Sequence, residues 1–406
     1  MGLIVQKFGG SSVGSIERIK NVAKRIEKYY KEGNKLVIVV SAMGDTTDEL
    51  LAMAEKITNN PNPREIDMLL STGERISSAL LTMALQDLGL PAISLSGRQA
   101  GIYTNSTYTK AQILKINPER ILKELAKGKI VVVAGFQGYN YENNDVTTLG
   151  RGGSDATAVA LAYALNADLC EIYTDVDGIY TADPRIVPSA KKLNFISYEE
   201  MLELAGQGAQ VMQLRAMDLA TTYRVKLVVR SSFNENSGTI IGEADKMEFK
   251  NKVTGIAYNK NISKITVVGV PDKPGIAYKI FAPLGDASIN VDDIVQNVSK
   301  DGITDLSFTV PEKELQKTLE IIKNVAIDIG AKGIDYDNNI GKVSIVGIGI
   351  QGTPGIAAKM FGILADNNIN IEMITTSEIK ITCIVRRDLV ERAVQALHDG
   401  FKLGEE

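Results

Sequence analysis

Histidine is nearly missing from this chain: His398 is the single example in 406 residues. Chemistry that relies on histidine as a general base, or on a histidine-bearing zinc centre, is therefore poorly served. Only two cysteines occur, Cys170 and Cys383, each inside an apolar stretch. They make neither a disulfide framework nor a metal site, and suit small core residues in a reducing cytoplasm. No apolar run approaches the length of a membrane span. A formal charge of −4 and a pI near 5.5 offer no basic face for nucleic acid. Strand and loop begin at the N-terminus, so no secretory signal peptide is expected. The standard nucleotide fingerprints are missing as well. There is no G-x-x-x-x-G-K-[ST], no G-x-G-x-x-G after the first strand, and no protein-kinase set of catalytic and metal loops. A phosphotransferase built from this chain must use another architecture.

What is present suits a globular protein, with 44% hydrophobic and 23% charged residues, and the length calls for two or three domains. Over the first 230 residues or so, β-branched runs alternate with helical patterns. Leu36–Val40, Ala92–Leu95, Ile130–Val133, Leu169–Tyr173 and Val225–Val229 read as buried strands. Ile16–Lys31, Thr47–Ile57, Gly73–Leu88 and Ser154–Leu165 read as helices. That alternation predicts an α/β domain, a largely parallel sheet covered by helices, with its ligand crevice at the C-terminal strand ends. Residues 232–252 turn polar, and the boundary is set there. Beyond it, Pro274-Gly275-Ile276-Ala277 recurs 80 residues later as Pro354-Gly355-Ile356-Ala357, and Ile289-Asn290-Val291 recurs as Ile369-Asn370-Ile371. Each copy predicts a small α+β module of order βαββαβ. The echo of Gly255-Ile256-Ala257-Tyr258 in Gly333-Ile334-Asp335-Tyr336 suggests that the strand near Val253–Tyr258 joins the C-terminal module. The expected division is 1–245, then 262–332, then 253–261 together with 333–406.

Three loops carry chemistry. Lys7-Phe8-Gly9-Gly10-Ser11-Ser12 follows an apolar run and precedes a helix, an arrangement that can hold a phosphate on main-chain N–H groups and a lysine. A plain β-turn-α connection can carry two glycines as well. Thr148-Leu149-Gly150-Arg151-Gly152-Gly153-Ser154-Asp155 leads into an alanine-rich helix, with Ser154 the expected N-cap and Arg151 suited to a carboxylate. Asp155 either caps that helix or positions Lys7 or a metal ion. The third loop runs from Tyr173 to Arg185. It is either a well-capped connection or a nucleotide holder, and it lacks the terminal glutamate of a calcium loop. The Ser41–Asp48 loop adds hydroxyls, and Glu74 is expected to open a helix, where it either favours the helix N-terminus or receives a substrate ammonium.

Together KFGGSS, SAMGDTTDEL, TGER, TTLGRGGSD and YTDVDGIYTADPR, followed by paired modules of ACT type, resemble the aspartate kinase family in its monofunctional, single-chain bacterial form. The resemblance implies an amino-acid-kinase fold for residues 1–245. It also implies ATP-dependent phosphorylation of the L-aspartate β-carboxylate, the first step towards lysine, threonine, methionine and diaminopimelate. By resemblance, Lys7 and Asp155 are catalytic. ATP falls to Lys7, Phe8, Gly9, Gly10, Ser41, Thr174, Asp175, Tyr180, Asp183 and Arg185. Aspartate falls to Thr47, Glu74, Arg151, Gly152, Gly153 and Ser154. Mg2+ is expected with ATP, without identifiable protein ligands. Gln210 stands where some relatives have an ATP-contacting lysine. The modules imply feedback inhibition by lysine and/or threonine. The implied contacts are Asp272, Gly275, Ile276, Ala277, Asn290, Val291, Asp292 and Gln296 in the first copy and Asn370, Thr375, Thr376 and Glu378 in the second. The modules also imply a homodimer or higher oligomer, and Met247 lies where some relatives start a separate regulatory subunit. His398 is expected on a surface helix.

Overall fold

The computed structural model describes residues 2–208, 211–244, 252–297, 302–350 and 352–405. Gln210 and Met247 lie outside the described residues. The chain forms two compact units. The first comprises Met1–Ile179, Lys192–Gly206 and Gln210–Met247; the second comprises Tyr180–Lys191, Gln207–Ala209 and Glu248–Glu406.

In chain order the first unit contains β1 (Leu3–Phe8), α1 (Ile16–Lys31), β2 (Lys35–Val40), α2 (Thr46–Ile57), α3 (Pro63–Asp87), β3 (Ala92–Leu95), β4 (Ile102–Thr104), β5 (Ile113–Ile116), α4 (Glu119–Leu125), β6 (Ile130–Ala134), β7 (Gln137–Tyr139) and β8 (Val146–Thr148). It continues with α5 (Gly153–Ala164), β9 (Leu169–Thr174), β10 (Phe195–Ser197), α6 (Tyr198–Gly206), α7 (Leu214–Tyr223), β11 (Leu227–Ser231) and β12 (Thr239–Gly242). Eight strands form the main sheet in the order β10-β12-β11-β9-β1-β2-β6-β3, parallel except where β11 meets β12. Continuous Val/Ile runs such as KLVIVV in β2 suit strands covered on both faces, and five of its six residues are buried. Helix α1 starts at Ser15, whose hydroxyl accepts the Arg18 N–H, and buries Ile19, Val22, Ala23 and Ile26, a spacing that follows the helical repeat. A small sheet, β5-β4-β7-β8, completes the unit.

Three elements begin elsewhere than the pattern suggested. Helix α3 starts at Pro63, with Asn62 as N-cap accepting the Arg64 N–H, so Glu74 lies in mid-helix and cannot serve its N-terminus. Helix α5 is capped by Gly152, at φ 73°, and Ser154 sits within its first turn. Strand β11 begins at Leu227, because Arg224 closes α7 in a left-handed conformation.

The second unit is built on β13 (Gly255–Pro271), α8 (Ile276–Asp286), β14 (Asp292–Gln296), β15 (Ile303–Pro311), α9 (Leu315–Ile329), β16 (Gly333–Val346), α10 (Ile356–Asp366), β17 (Met373–Thr376), β18 (Lys380–Arg386) and α11 (Val390–Gly400). Its sheet runs β14-β15-β13-β16-β18-β17, antiparallel throughout. The repeated Pro-Gly turns match in detail: Gly275 and Gly355 both have φ 89° at the N-caps of α8 and α10. Gly255–Asn259 of β13 pairs with Val346–Lys342 of β16, while Ile262–Val267 pairs with β15 on one side and residues 262–268 with the first half of β16 on the other.

Residues 180–191 belong to this unit because Ala182 and Val187 are buried in the same core as Ile345, Met360 and Leu397. A single cut at residue 245 therefore does not separate the two compact bodies. Within that core Thr181 Oγ1 lies 2.9 Å from His398 Nε2. His398 is fully buried, contrary to the surface expectation, and burial holds its pKa below the usual 6.5.

Candidate active site

Strand β1 lies between β9 and β2 in mid-sheet, and Lys7 stands opposite Ile172 and Val39 near its C-terminal end. Its ammonium lies 2.6 Å from Asp155 Oδ1, in the first turn of α5, and both side chains are about nine-tenths buried. Asp155 therefore partners Lys7 instead of capping its helix. Burying opposite charges together keeps each from being stranded in a low-dielectric site. A Cβ on Gly9 would stand 3.4 Å from Lys7 Nζ, and one on Gly10 would meet Ala42 O of the next loop at 3.0 Å, so glycine eases the close approach of the two loops. The Gly9 N–H donates to Tyr173 O, so of the two loop glycines expected to cradle phosphate, Gly9 is already committed. Phe8 is buried and stacks on Tyr173, ring centroids 4.7 Å apart, which makes its contribution one of packing.

Glu74 is 3% exposed. Its Oε1 accepts the Ala42 N–H at 3.1 Å, while Oε2 has no hydrogen-bond partner among the described residues. Burial pushes its pKa from 4.5 up to about 7. A half-satisfied buried carboxylate is costly, and its unpartnered oxygen is an acceptor that an ammonium group could fill. Gly73 enables the geometry, since a Cβ there would stand 2.9 Å from Ala42 Cβ. Thr47 lies half-buried in the first turn of α2 and Ser41 half-buried at the end of β2.

The third component is the turn Gly150–Gly153, closed by the Gly153 N–H donating to Gly150 O at 2.9 Å. Gly152 requires its glycine twice over: its φ is 73°, and a Cβ would stand 2.4 Å from Gln213 Cβ. Arg151 is exposed in this turn, and Ser154 packs against Gly135. The pattern gave no sign of two anchors that hold the turn. Buried Asp67 accepts from the Thr109 N–H, the Thr148 N–H and the Thr148 hydroxyl. Arg215 of α7 donates to Leu149 O and to Ala111 O. Their partners are mostly backbone groups far away in sequence, which leave no local motif.

At the end of β9, the Thr174 hydroxyl donates to Asp175 Oδ1 at 3.0 Å, and Thr174 O accepts from Ser232. Tyr180, Asp183 and Arg185 fall in the second unit. There Asp183 accepts from Arg185 and from the Tyr258 hydroxyl, and the adjoining guanidinium holds its carboxyl below the ordinary range.

The second unit also contains a cavity of ≈ 360 Å³ lined by Asp272, Gly275, Ile276, Ala277 and Gln296. The remaining expected effector contacts lie outside it. Asn290, Asn370, Thr376 and Glu378 are exposed, and Val291 is half-buried. Asp292 is paired with Lys342, and the Thr375 hydroxyl donates to Asp293 at 2.8 Å. Asp292 and Thr375 are thus already engaged within the chain.

Residues 2–231 match the amino acid kinase family, and residues 264–326 and 343–401 each match an ACT domain. Aspartokinase from Corynebacterium glutamicum is 51% identical over 410 residues, covering 100% of this chain and 97% of that protein. The chain belongs to the aspartokinase family. Aspartate kinase from Pseudomonas putida is 50% identical over 99% of this chain and 98% of its own. The crystal structure of Escherichia coli aspartokinase III in complex with aspartate and ADP (R-state) superposes with a TM-score of 0.83 at 25% identity, covering 98% of this chain and 99% of that one. Aspartokinases are phosphotransferases that use a nucleotide, and the mixed α/β fold with its paired ACT domains agrees with membership. No helix among the described residues is long and apolar enough to cross a membrane.

Proposed function

We propose that this chain transfers the γ-phosphoryl group of ATP to the β-carboxylate of L-aspartate, giving 4-phospho-L-aspartate. The observation that carries the proposal is the Lys7–Asp155 pair near the end of the central strand. An aspartate carboxylate is ionised at neutral pH, so the reaction needs no general base. Its difficulty is the approach of two anions, which positioning and positive charge overcome. Lys7 neutralises the transferring group, helped by the amide of Gly10 in the loop that follows it, and Asp155 holds the ammonium in place. Arg151 grips an aspartate carboxylate and Glu74 Oε2 receives its ammonium, with Thr47, Gly152, Gly153 and Ser154 shaping the pocket. Ser41, Thr174 and Asp175 serve the nucleotide, and the resemblance adds Tyr180, Asp183 and Arg185.

Mg2+ enters as part of the nucleotide. Among the described residues no group of three or more His, Cys, Asp or Glu side chains could hold a metal ion, so no step is assigned to a protein-held metal. The repeated modules take lysine and/or threonine as effectors, with the cavity at Asp272 as the first site. They also join copies of the chain, and an internal start near Met247 would supply a separate regulatory subunit. The reaction would open lysine, threonine, methionine and diaminopimelate synthesis in the cytoplasm.

The test is hydroxamate formation from aspartate, ATP and hydroxylamine, with glutamate run in parallel. Aspartate-dependent product is expected, and Lys7→Ala should lower turnover by roughly a thousandfold. Equal rates with glutamate would remove the substrate assignment. Near-normal turnover in the lysine variant would remove the role given to Lys7.

A further inference from the structure

The Gly150–Gly153 turn presents Arg151 from a support that is pinned twice. Residues 109–111 run beside residues 148–150: the Ala111 N–H donates to Thr148 O at 2.9 Å, and a Cβ on Gly150 would stand 2.9 Å from Thr109 O. The Asp67 carboxylate ties these two segments together at Thr109 and Thr148. One residue further on, the Arg215 guanidinium ties them again, donating one N–H to Leu149 O and another to Ala111 O, the latter at 2.6 Å. Leu149 is the last residue before the turn. On the far side of the turn, Gly152 packs against Gln213, the N-cap of α7, so the start of α7 holds both ends.

Arg215 is an unusual residue for that position. It lies in the first turn of α7, where the helix dipole disfavours a cation. It is half-buried, and among the described residues it has no carboxylate in ion-pair contact. Its planar fork instead matches two carbonyl oxygens that belong to different segments. A cation kept in so unfavourable a place, with only backbone acceptors, is explained by what those acceptors hold.

We infer that Arg215 is a positioning residue for aspartate: by fastening Leu149 to Ala111 it fixes the turn from which Arg151 reaches the substrate carboxylate. The inference rests on Arg151 being that ligand. Displacing a binding group by even an ångström can cost two orders of magnitude, whereas the nucleotide loops draw no support from this contact.

Steady-state kinetics of the full-length chain as Arg151→Ala, Arg215→Ala, Arg215→Lys and the double alanine variant test it. Arg151→Ala should raise KM for aspartate, and an unchanged KM there would refute the ligand assignment itself. With that assignment standing, Arg215→Ala should raise KM for aspartate about tenfold and leave KM for ATP within about twofold. The double variant should be no worse than Arg151→Ala, because Arg215 acts through the residue already removed. Guanidinium ion at low millimolar concentration should restore part of the aspartate affinity of Arg215→Ala, and sodium should not. Should the alanine variant fail to fold, Arg215→Lys carries the test: it should weaken aspartate binding less than tenfold, with ATP binding intact. Equal increases in both KM values, or additive effects in the double variant, would overturn the inference.

Discussion

Replacing Glu74 with glutamine should make the first unit more stable and the enzyme worse, and pH separates the two effects. Burial raises the pKa of this carboxyl from 4.5 to about 7, equivalent to roughly 3 kcal/mol against the charged form. Because the folded state binds the proton more tightly than the unfolded state, stability is greatest below pH 4.5 and declines as pH rises through about 7. Glutamine keeps the shape and still accepts the Ala42 N–H, but carries no charge to bury. Its amide NH2 would lack a partner, a cost of about 1 kcal/mol. The expected net gain at pH 8 is therefore about 2 kcal/mol, or a rise of roughly 4–8 °C in Tm for a unit of this size. Near pH 5, where the native carboxyl is mostly protonated, the difference should shrink below about 1 kcal/mol. Thermal unfolding without substrate at both pH values measures this. In the kinase assay the same variant should lose about 10- to 100-fold in aspartate affinity, since a charge-assisted contact with the substrate ammonium is gone. A Tm unchanged or lowered at pH 8, or an unaltered KM for aspartate, would refute the reasoning.

Other outcomes follow from the same geometry. Gly152→Ala forces a left-handed residue to carry a Cβ 2.4 Å from Gln213 Cβ; it should cost about 2 kcal/mol or more, seen in denaturant unfolding, and raise KM for aspartate. His398 is held below its ordinary pKa of 6.5 by burial. Its stabilising contribution is therefore complete above pH 6.5 and lost as pH falls from there towards the lower folded value. Melting curves between pH 8 and 5 should show that loss, and His398→Asn should flatten it. Asp272 lines the cavity of the second unit, so Asp272→Asn should raise the lysine or threonine concentration for half-inhibition about tenfold. Insensitivity of the parent enzyme to about 10 mM of both amino acids would dismiss effector binding there altogether.

Much of this could be read from the chain before folding. Val/Ile runs and glycine turns marked the parallel sheet and the loops at its strand ends, and Lys7 and Asp155 could be named because each sits in a compact local motif. What escaped has a physical cause. The expected helix opened at Gly73, yet asparagine at the N-cap and proline at N1 start α3 ten residues earlier, at Pro63. Ser154 offered a plausible cap, but the positive φ of Gly152 ends the turn two residues earlier. Asp67 and Arg215 work on backbone groups from distant segments, so nothing near them in sequence reveals their task. His398 sits on an amphipathic helix whose buried face only the packed core identifies.

The segment 180–191 has an implication for how such a chain can be divided. Ala182 and Val187 fill part of the hydrophobic interior of the second unit, and Thr181 meets the buried histidine there. A polypeptide starting beyond residue 247 would contain both repeated modules but not these residues. Its interior would have a gap worth about 2–4 kcal/mol, together with an imidazole stripped of its hydroxyl partner. A full-length chain supplies the missing piece from its own earlier sequence. A fragment would have to close over the hole or leave it unfilled, so the same modules should be less stable cut loose than within the full-length chain.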